Sequence, residues 1–356
     1  MKKSIVNLLK FLVFLSIGLG ILYLVYQGEN TKYLAECQTK GIPESECSLV
    51  NKILGDFKGV NYLWILVVFL AFTISNISRA ARWRMLLRPM GYNPRLINAF
   101  FSVMIAYFAN LGLPRIGEVI RAGTISQYEK IPVEKAMGTI VVGRIVDLIS
   151  MMVVFALAFL LEFDTLWGYV SENFPVEKFL NFKLFGLLAL LGAGAFALWR
   201  VSHSRLQQLA IYKKIVHIIQ GFWEGIQTIR QLDRPGLFIL HSINIWVMYY
   251  LMSYLCFFAF APTSHLGPVT GLVVFVFGAL GILIPTPGGM GSYQYFVKHA
   301  LEFYGVSGDD AFSFANILFF SVNIGCNVLL GLLALLLLPI INANYTPKHK
   351  EDAAAN

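Results

Sequence analysis

Charge is what this sequence has least of. Only 13% of its 356 residues are Asp, Glu, Lys or Arg, against about 25% in a soluble globular domain. So few charges cannot cover a water-exposed surface of this size without large apolar patches. That points away from a soluble enzyme, and an apolar content of 57% rules out a disordered chain. Cysteine is scarce as well, with four in all. Cys256 and Cys326 fall in apolar runs and read as packing residues. Cys37 and Cys47 share one polar loop, where a disulfide is open and spacing alone does not fix it. No Cys/His cluster has zinc spacing. No glycine-rich nucleotide loop occurs, so neither a cofactor nor ATP-driven transport by this chain alone is expected. The net charge of +8 does not imply a nucleic-acid partner, because basic residues of membrane proteins collect on the cytoplasmic side of spans.

What is present is long apolar runs. A span needs about 20 apolar residues to cross a hydrocarbon core of roughly 30 Å. Six segments qualify: 8–27, 61–78 (continuing as helix to about 87), 136–161, 181–200, 236–260 and 313–341. The first resembles a signal peptide, but its run is too long and no small-x-small cleavage site follows, so it reads as an uncleaved helix. Segments 98–113 and 267–284 are shorter, and a Pro/Gly break follows each.

Charge bias orients the chain. Residues 79–97 carry five arginines and no acid, 200–235 carry six basic residues against two acids, 1–10 carry three lysines and no acid, and the tail adds Lys348 and Lys350. These belong inside, with both termini cytoplasmic. The loop 28–60, residues 162–180 and residues 301–312 are acidic or balanced and belong outside. The stretch 96–135 then enters and leaves on the inside, and 267–304 enters and leaves on the outside. Neither is a single crossing. The expectation is one polytopic domain over 1–345, an all-α integral membrane protein with about six full spans and two re-entrant hairpins of opposite sense. Broken backbone at membrane depth is tolerated only where protein buries it or water wets it, and paired breaks point to a midplane transport site. Segment 205–232, with Leu206, Leu209, Tyr212, Val216, Ile219, Trp223 and Ile226 at helical spacing, reads as an in-plane cytoplasmic amphipathic helix.

The candidate chemistry is cationic. Arg144 and Asp147 lie inside span 136–161 and do not easily reach water; such a pair either satisfies itself or lines a polar pathway. In the first hairpin, Asn110, Arg115, Glu118 and Arg121 fall within twelve residues. Arginines beside a helix N-terminus suit an anion, and ordinary loop salt bridges are the plain alternative. The second tip, Pro285 to Gly291, sets Gly288, Gly289 and Gly291 where successive N–H groups form an anion nest or where a helix simply breaks. Arg79, Arg82 and Arg84 read as interfacial anchors.

Arg82-Trp83 with Leu86-Leu87, NLGLPRIGEVIR at 110–121, Gly143-Arg144 with Asp147, and PTPGGMG at 285–291 together resemble the flippase-like family, the transmembrane region at the front of lysylphosphatidylglycerol synthase. The resemblance implies a bundle with re-entrant helices that moves a polar lipid between leaflets. It carries over Arg115, Glu118, Arg121, Arg144 and Asp147 as site residues. The sequence ends without an aminoacyltransferase domain, so lipid aminoacylation is not expected of it. Gln294 stands where family members often carry Glu.

The expected function is therefore that of a lipid flippase, not an enzyme, in the inner membrane of a bacterium. Its partner is an anionic membrane lipid, with self-association or a lipid-synthesis partner open. A membrane enzyme acting on a lipid-linked phosphate and a scaffold docking through 205–232 remain as alternatives.

Overall fold

The computed structural model describes residues 47–112, 116–164, 231–284, 286 and 289–347, with scattered positions between 23 and 43 and residues 167–168. The expected spans 181–200 and, apart from a few positions, 8–27 lie outside the described residues. So do residues 205–230 of the expected amphipathic helix and all but the first two residues of the tail.

The described chain is helical throughout. α1 (Leu49–Lys58) starts at Ser48, whose side chain accepts from the Asn51 N–H. α2 (Tyr62–Leu87) is capped by Asn61 in the same way. α3 (Leu96–Gly112) and α4 (Gly117–Glu129) follow, then α5 (Val133–Leu161). α6 (Pro235–Cys256) and α7 (Pro268–Leu283) both open on proline, whose missing N–H is no loss in a first turn. α8 (Ser292–Glu302) leads to α9 (Gly308–Leu318), which runs through a π-helical stretch, Phe319–Cys326, into α10 (Asn327–Ile341).

Four helices are long and apolar enough to cross a bilayer: Tyr62–Met90, Val133–Leu161, Pro235–Ala259 and Gly308–Ile341. They correspond to four of the six expected spans, and the protein is an all-α membrane protein. α2 and α6 lie antiparallel along their length. The Asn61 N–H meets Ala259 O at 2.9 Å, Ser75 Oγ meets Ile245 O at 3.3 Å, and Arg82 meets Ser242 Oγ at 3.2 Å.

The shorter helices form two hairpins that enter from opposite ends of the bundle. The first, α3–α4, begins where α2 ends. Its base is tied by Glu129, a buried carboxylate that accepts from the Arg95 N–H (2.9 Å), Asn98 (2.6 Å) and the Tyr345 hydroxyl (3.0 Å). Asn98 also pairs with Asn342 at the end of α10. Further up, Phe108 packs on Gly331. Continuing this antiparallel register sets Gly112 level with Asn327, near the middle of the last span, so the hairpin turns back before crossing. The second hairpin, α7–α8, starts where α6 ends, at the other end of the bundle. Gly281 lets α8 approach so closely that a Cβ there would lie 2.7 Å from Tyr293 Cα, and Ser292 Oγ donates to Gly281 O at 2.7 Å. Span, hairpin and span thus occur twice, α2 to α5 and α6 to α10, in opposite senses.

The loop read over 28–60 contains α1, and a disulfide joins Cys37 to Cys47. α1 is latched to the start of α9 by Lys52, which reaches Asp310 at 2.7 Å, Asp56 at 2.9 Å and Asp309 at 3.5 Å. Burial works to lower the Lys52 pKa, but the bonds to Asp310 and Asp56 outweigh it and hold the ammonium above its usual value. A raised folded value gives stability that is complete below about pH 10 and is lost only above it, so the lysine side of the latch is unchanged across neutral pH. Lys52→Met is expected to cost about 1 kcal/mol, read as a lowered melting temperature of detergent-solubilised protein at pH 6 and pH 8 alike.

Candidate functional site

The polar centre of the bundle forms where α2, α4, α5 and α6 meet. On α2, Ser75, Arg79 and Arg82 follow the i, i+4, i+7 spacing of one helix face. All three are buried. Asp147 of α5 accepts from both arginines: its Oδ2 lies 2.6 Å from Arg79 and its Oδ1 2.6 Å from Arg82. One carboxylate thus bridges two guanidinium groups. The remaining donors spread outward. Arg79 also donates to the Tyr249 hydroxyl at 3.0 Å, which lies 3.2 Å from the Tyr107 hydroxyl. Arg82 also donates to Ser242 Oγ.

Arg121 of α4 completes the centre. Its guanidinium carbon stands 3.8 Å over the Trp83 ring, and the Trp83 indole N–H is held by Thr139 at 2.9 Å. Arg121 is 9% exposed. It makes no ion pair with any described carboxylate, and its Nε is buried without a hydrogen-bond partner. Arg144 pairs with Glu118 across the α4–α5 contact at 2.6 Å, and both side chains are partly exposed. Between these groups lies a recess of 10 Å³ lined by Arg79, Arg82, Arg121, Arg144 and Asp147, among others. That is room for about one water. The four arginines against Asp147 and Glu118 leave the recess with a positive excess.

The sequence expectations fare unevenly here. Glu118, Arg121, Arg144 and Asp147 do come together. Arg144 and Asp147, however, are not partners: Arg144 takes Glu118, and Asp147 takes two arginines of α2. Arg79 and Arg82 are not interfacial anchors but the buried counter-ions of Asp147. The signal for them is present in the polar stripe Ser75, Arg79, Arg82 on a helix that resumes apolar residues at Met85, Leu86 and Leu87. Asn110 does not face an anion; its Oδ1 accepts from the Gly117 N–H at 2.8 Å and closes the hairpin turn. Arg115 and Gly288 lie outside the described residues. Gly289 and Gly291 take positive φ (83° and 82°). Their N–H groups are already committed, to Thr286 O at 3.1 Å and to Gln294 Oε1 at 2.8 Å. They form a tight turn, not an anion nest, and do not line the recess. Gln294 is fully buried and spans from that turn to Asn316 at 3.4 Å.

The lysylphosphatidylglycerol synthase transmembrane region matches residues 49–331, from α1 to α10. The chain belongs to that family. The match takes in both hairpins and every residue of the cation recess. The UPF0104 membrane protein MJ1595 of Methanocaldococcus jannaschii is 22% identical over 265 residues, 68% of this chain and 75% of the relative. No solved structure matches.

Proposed function

We propose that this member of the family is a carrier, not an enzyme, that moves an anionic phospholipid between leaflets, with the headgroup phosphate docking on Arg121 and Arg144. The observation that carries this reading is Arg121. A buried charge without a counter-ion costs several kcal/mol, and stacking on Trp83 returns only about 2 kcal/mol or somewhat more when desolvated. An anionic ligand supplies what the protein does not. A guanidinium matches a phosphate with two parallel N–H donors. Asp147 fixes Arg79 and Arg82 and offsets one of their two charges, and Glu118 holds Arg144 at the rim until a phosphate displaces it.

A recess of 10 Å³ does not admit a phosphate. Docking therefore requires α4 to move away from α5, opening the Glu118–Arg144 contact. The two oppositely inserted hairpins offer a way to expose the same centre to either face in turn.

The test is transport in vesicles reconstituted with pure protein and a headgroup-labelled phosphatidylglycerol, with an impermeant quencher added outside. Wild type is expected to expose inner-leaflet lipid to the quencher. Arg121→Gln is expected to slow this at least tenfold, and Arg88→Gln, on the surface, to leave it unchanged. Equal rates in wild-type and empty vesicles overturn the reading.

A further inference from the structure

A groove of 620 Å³ runs between α5 and α6 and reaches the first turns of α7. Its walls are carbon, apart from a few polar groups. The hydroxyls among these are all bonded within the protein: Ser150 to Val146 O (2.9 Å), Ser242 to Phe238 O (2.9 Å) and Tyr250 to Pro268 O (3.0 Å). The Trp246 indole N–H, on another lining residue, is buried without a partner; the rest of the lining asks nothing of a polar ligand. That volume is ample for one long hydrocarbon chain.

One end of the groove lies against the cation centre. Ser242 and Phe238 line it, and both touch Arg82: the guanidinium donates to Ser242 Oγ at 3.2 Å and stands 5.9 Å over the Phe238 ring. Val146, which also lines it, precedes Asp147 in α5. Arg82 therefore touches both the wall of the apolar groove and the recess beside Arg121. This juxtaposition of an apolar slot with a cationic centre is the layout of an anionic phospholipid.

We propose that the groove seats one acyl chain of the anionic lipid whose phosphate docks on Arg121 and Arg144, an inference that rests on the headgroup reading above. The chain lies along α5 and α6, the headgroup crosses beside Arg82, and the second chain stays in the bilayer. The lipid then passes between leaflets with part of its hydrocarbon guided by protein.

The probe is phosphatidylglycerol carrying a photoreactive diazirine midway along one acyl chain, in nanodiscs holding the full-length protein. Adducts are mapped by mass spectrometry. They are expected to concentrate on 146–161 and 238–250, at least fivefold above the outward face of α10 at Leu336, which is 67% exposed. Val153→Trp fills the groove from an exposed position and is expected to cut these adducts at least fivefold. Arg121→Gln is expected to cut them as well, because it releases the headgroup. Diacylglycerol with the same labelled chain is expected not to concentrate there. Even labelling of all bilayer-facing helices overturns the proposal, as does equal labelling by diacylglycerol. It is also overturned if a cysteine at position 153 cross-links efficiently to the span 181–200, which would make the occupant part of this chain. None of these three outcomes touches the headgroup reading, whose own failure appears separately as unchanged transport by Arg121→Gln.

Discussion

Asp147→Ala is expected to be the most damaging single substitution in the described part of the protein. It removes the one carboxylate that Arg79 and Arg82 share, each at 2.6 Å. Both guanidinium groups are almost fully enclosed, with side-chain exposures of 6% and 2%. Neither can turn to water, and a bilayer offers none nearby. Removing one partner of a buried ion pair typically costs about 3–5 kcal/mol, because the other charge is left uncompensated. Here two charges are left. Against a typical total of roughly 5–15 kcal/mol, little stability remains. The measurement is thermal unfolding in mild detergent, followed by a dye reacting with the buried thiols of Cys256 and Cys326. Asp147→Asn keeps acceptor geometry on one side and should fall between wild type and Asp147→Ala. Adding Arg79→Met to Asp147→Ala should recover part of the loss, since one orphaned charge is removed with it. If the double variant is less stable than Asp147→Ala alone, the pair is not the source of the effect.

The second large effect is expected from Gly117→Ala, and the same helix supplies its control. A Cβ at Gly117 would collide with Ala106 O and lie 2.7 Å from Asn110 Oδ1. The nearer atom is backbone and has no rotamer to yield. The only relief is for α4 to move off α3, which also breaks the Asn110 bond that closes the turn. Overpacking of this kind typically costs about 1–3 kcal/mol. The displacement carries Arg121 away from Trp83, so transport should fall together with stability. Gly123 lies six residues further along α4 with nothing within 4 Å of its Cβ position. Alanine there should be neutral or stabilising by about 0.5–1 kcal/mol, because it lowers the entropy the helix must lose. Comparing the two variants by melting temperature and by lipid transport separates crowding from helix propensity. Equal effects would mean that α4 does not depend on close approach to α3.

Much of this architecture is legible in the residues. Four of the six expected spans follow from run length, and the hairpins follow from two facts together: Pro/Gly breaks at 114 and 285–291, and flanking charges that argue against a crossing. The pairing inside the site is less accessible. Arg144 and Asp147 are i, i+3 neighbours in α5, and sequence proximity suggests a pair. The fold overrides it, because α4 brings Glu118 to Arg144 while α2 brings two arginines to Asp147. Such choices depend on which helix packs on which, a long-range property that local spacing does not contain. Arg79 and Arg82 are missed for a related reason: a basic cluster near a span end fits interfacial anchoring until the helix is seen to continue, buried, to Leu87. The glycines of the second tip illustrate the opposite case. Their positive φ is readable from composition, but whether their N–H groups are free depends on Gln294 and Thr286, which only the folded turn reveals.

The span–hairpin–span unit built twice in opposite senses also bears on how the protein enters the membrane. In shape, either half would serve in either orientation, so geometry gives the insertion machinery no instruction. Charge does. The mouth of the first hairpin carries Arg84, Arg88, Arg95, Lys130 and Lys135, whereas the mouth of the second carries His265, Asp309 and Asp310. Basic residues beside short loops resist translocation, and acidic ones contribute little. The same arginines and lysines that tie the mouth in the folded protein, through Asn93, Ile341 O and Tyr92, are thus the residues on which the choice of orientation during synthesis is expected to rest.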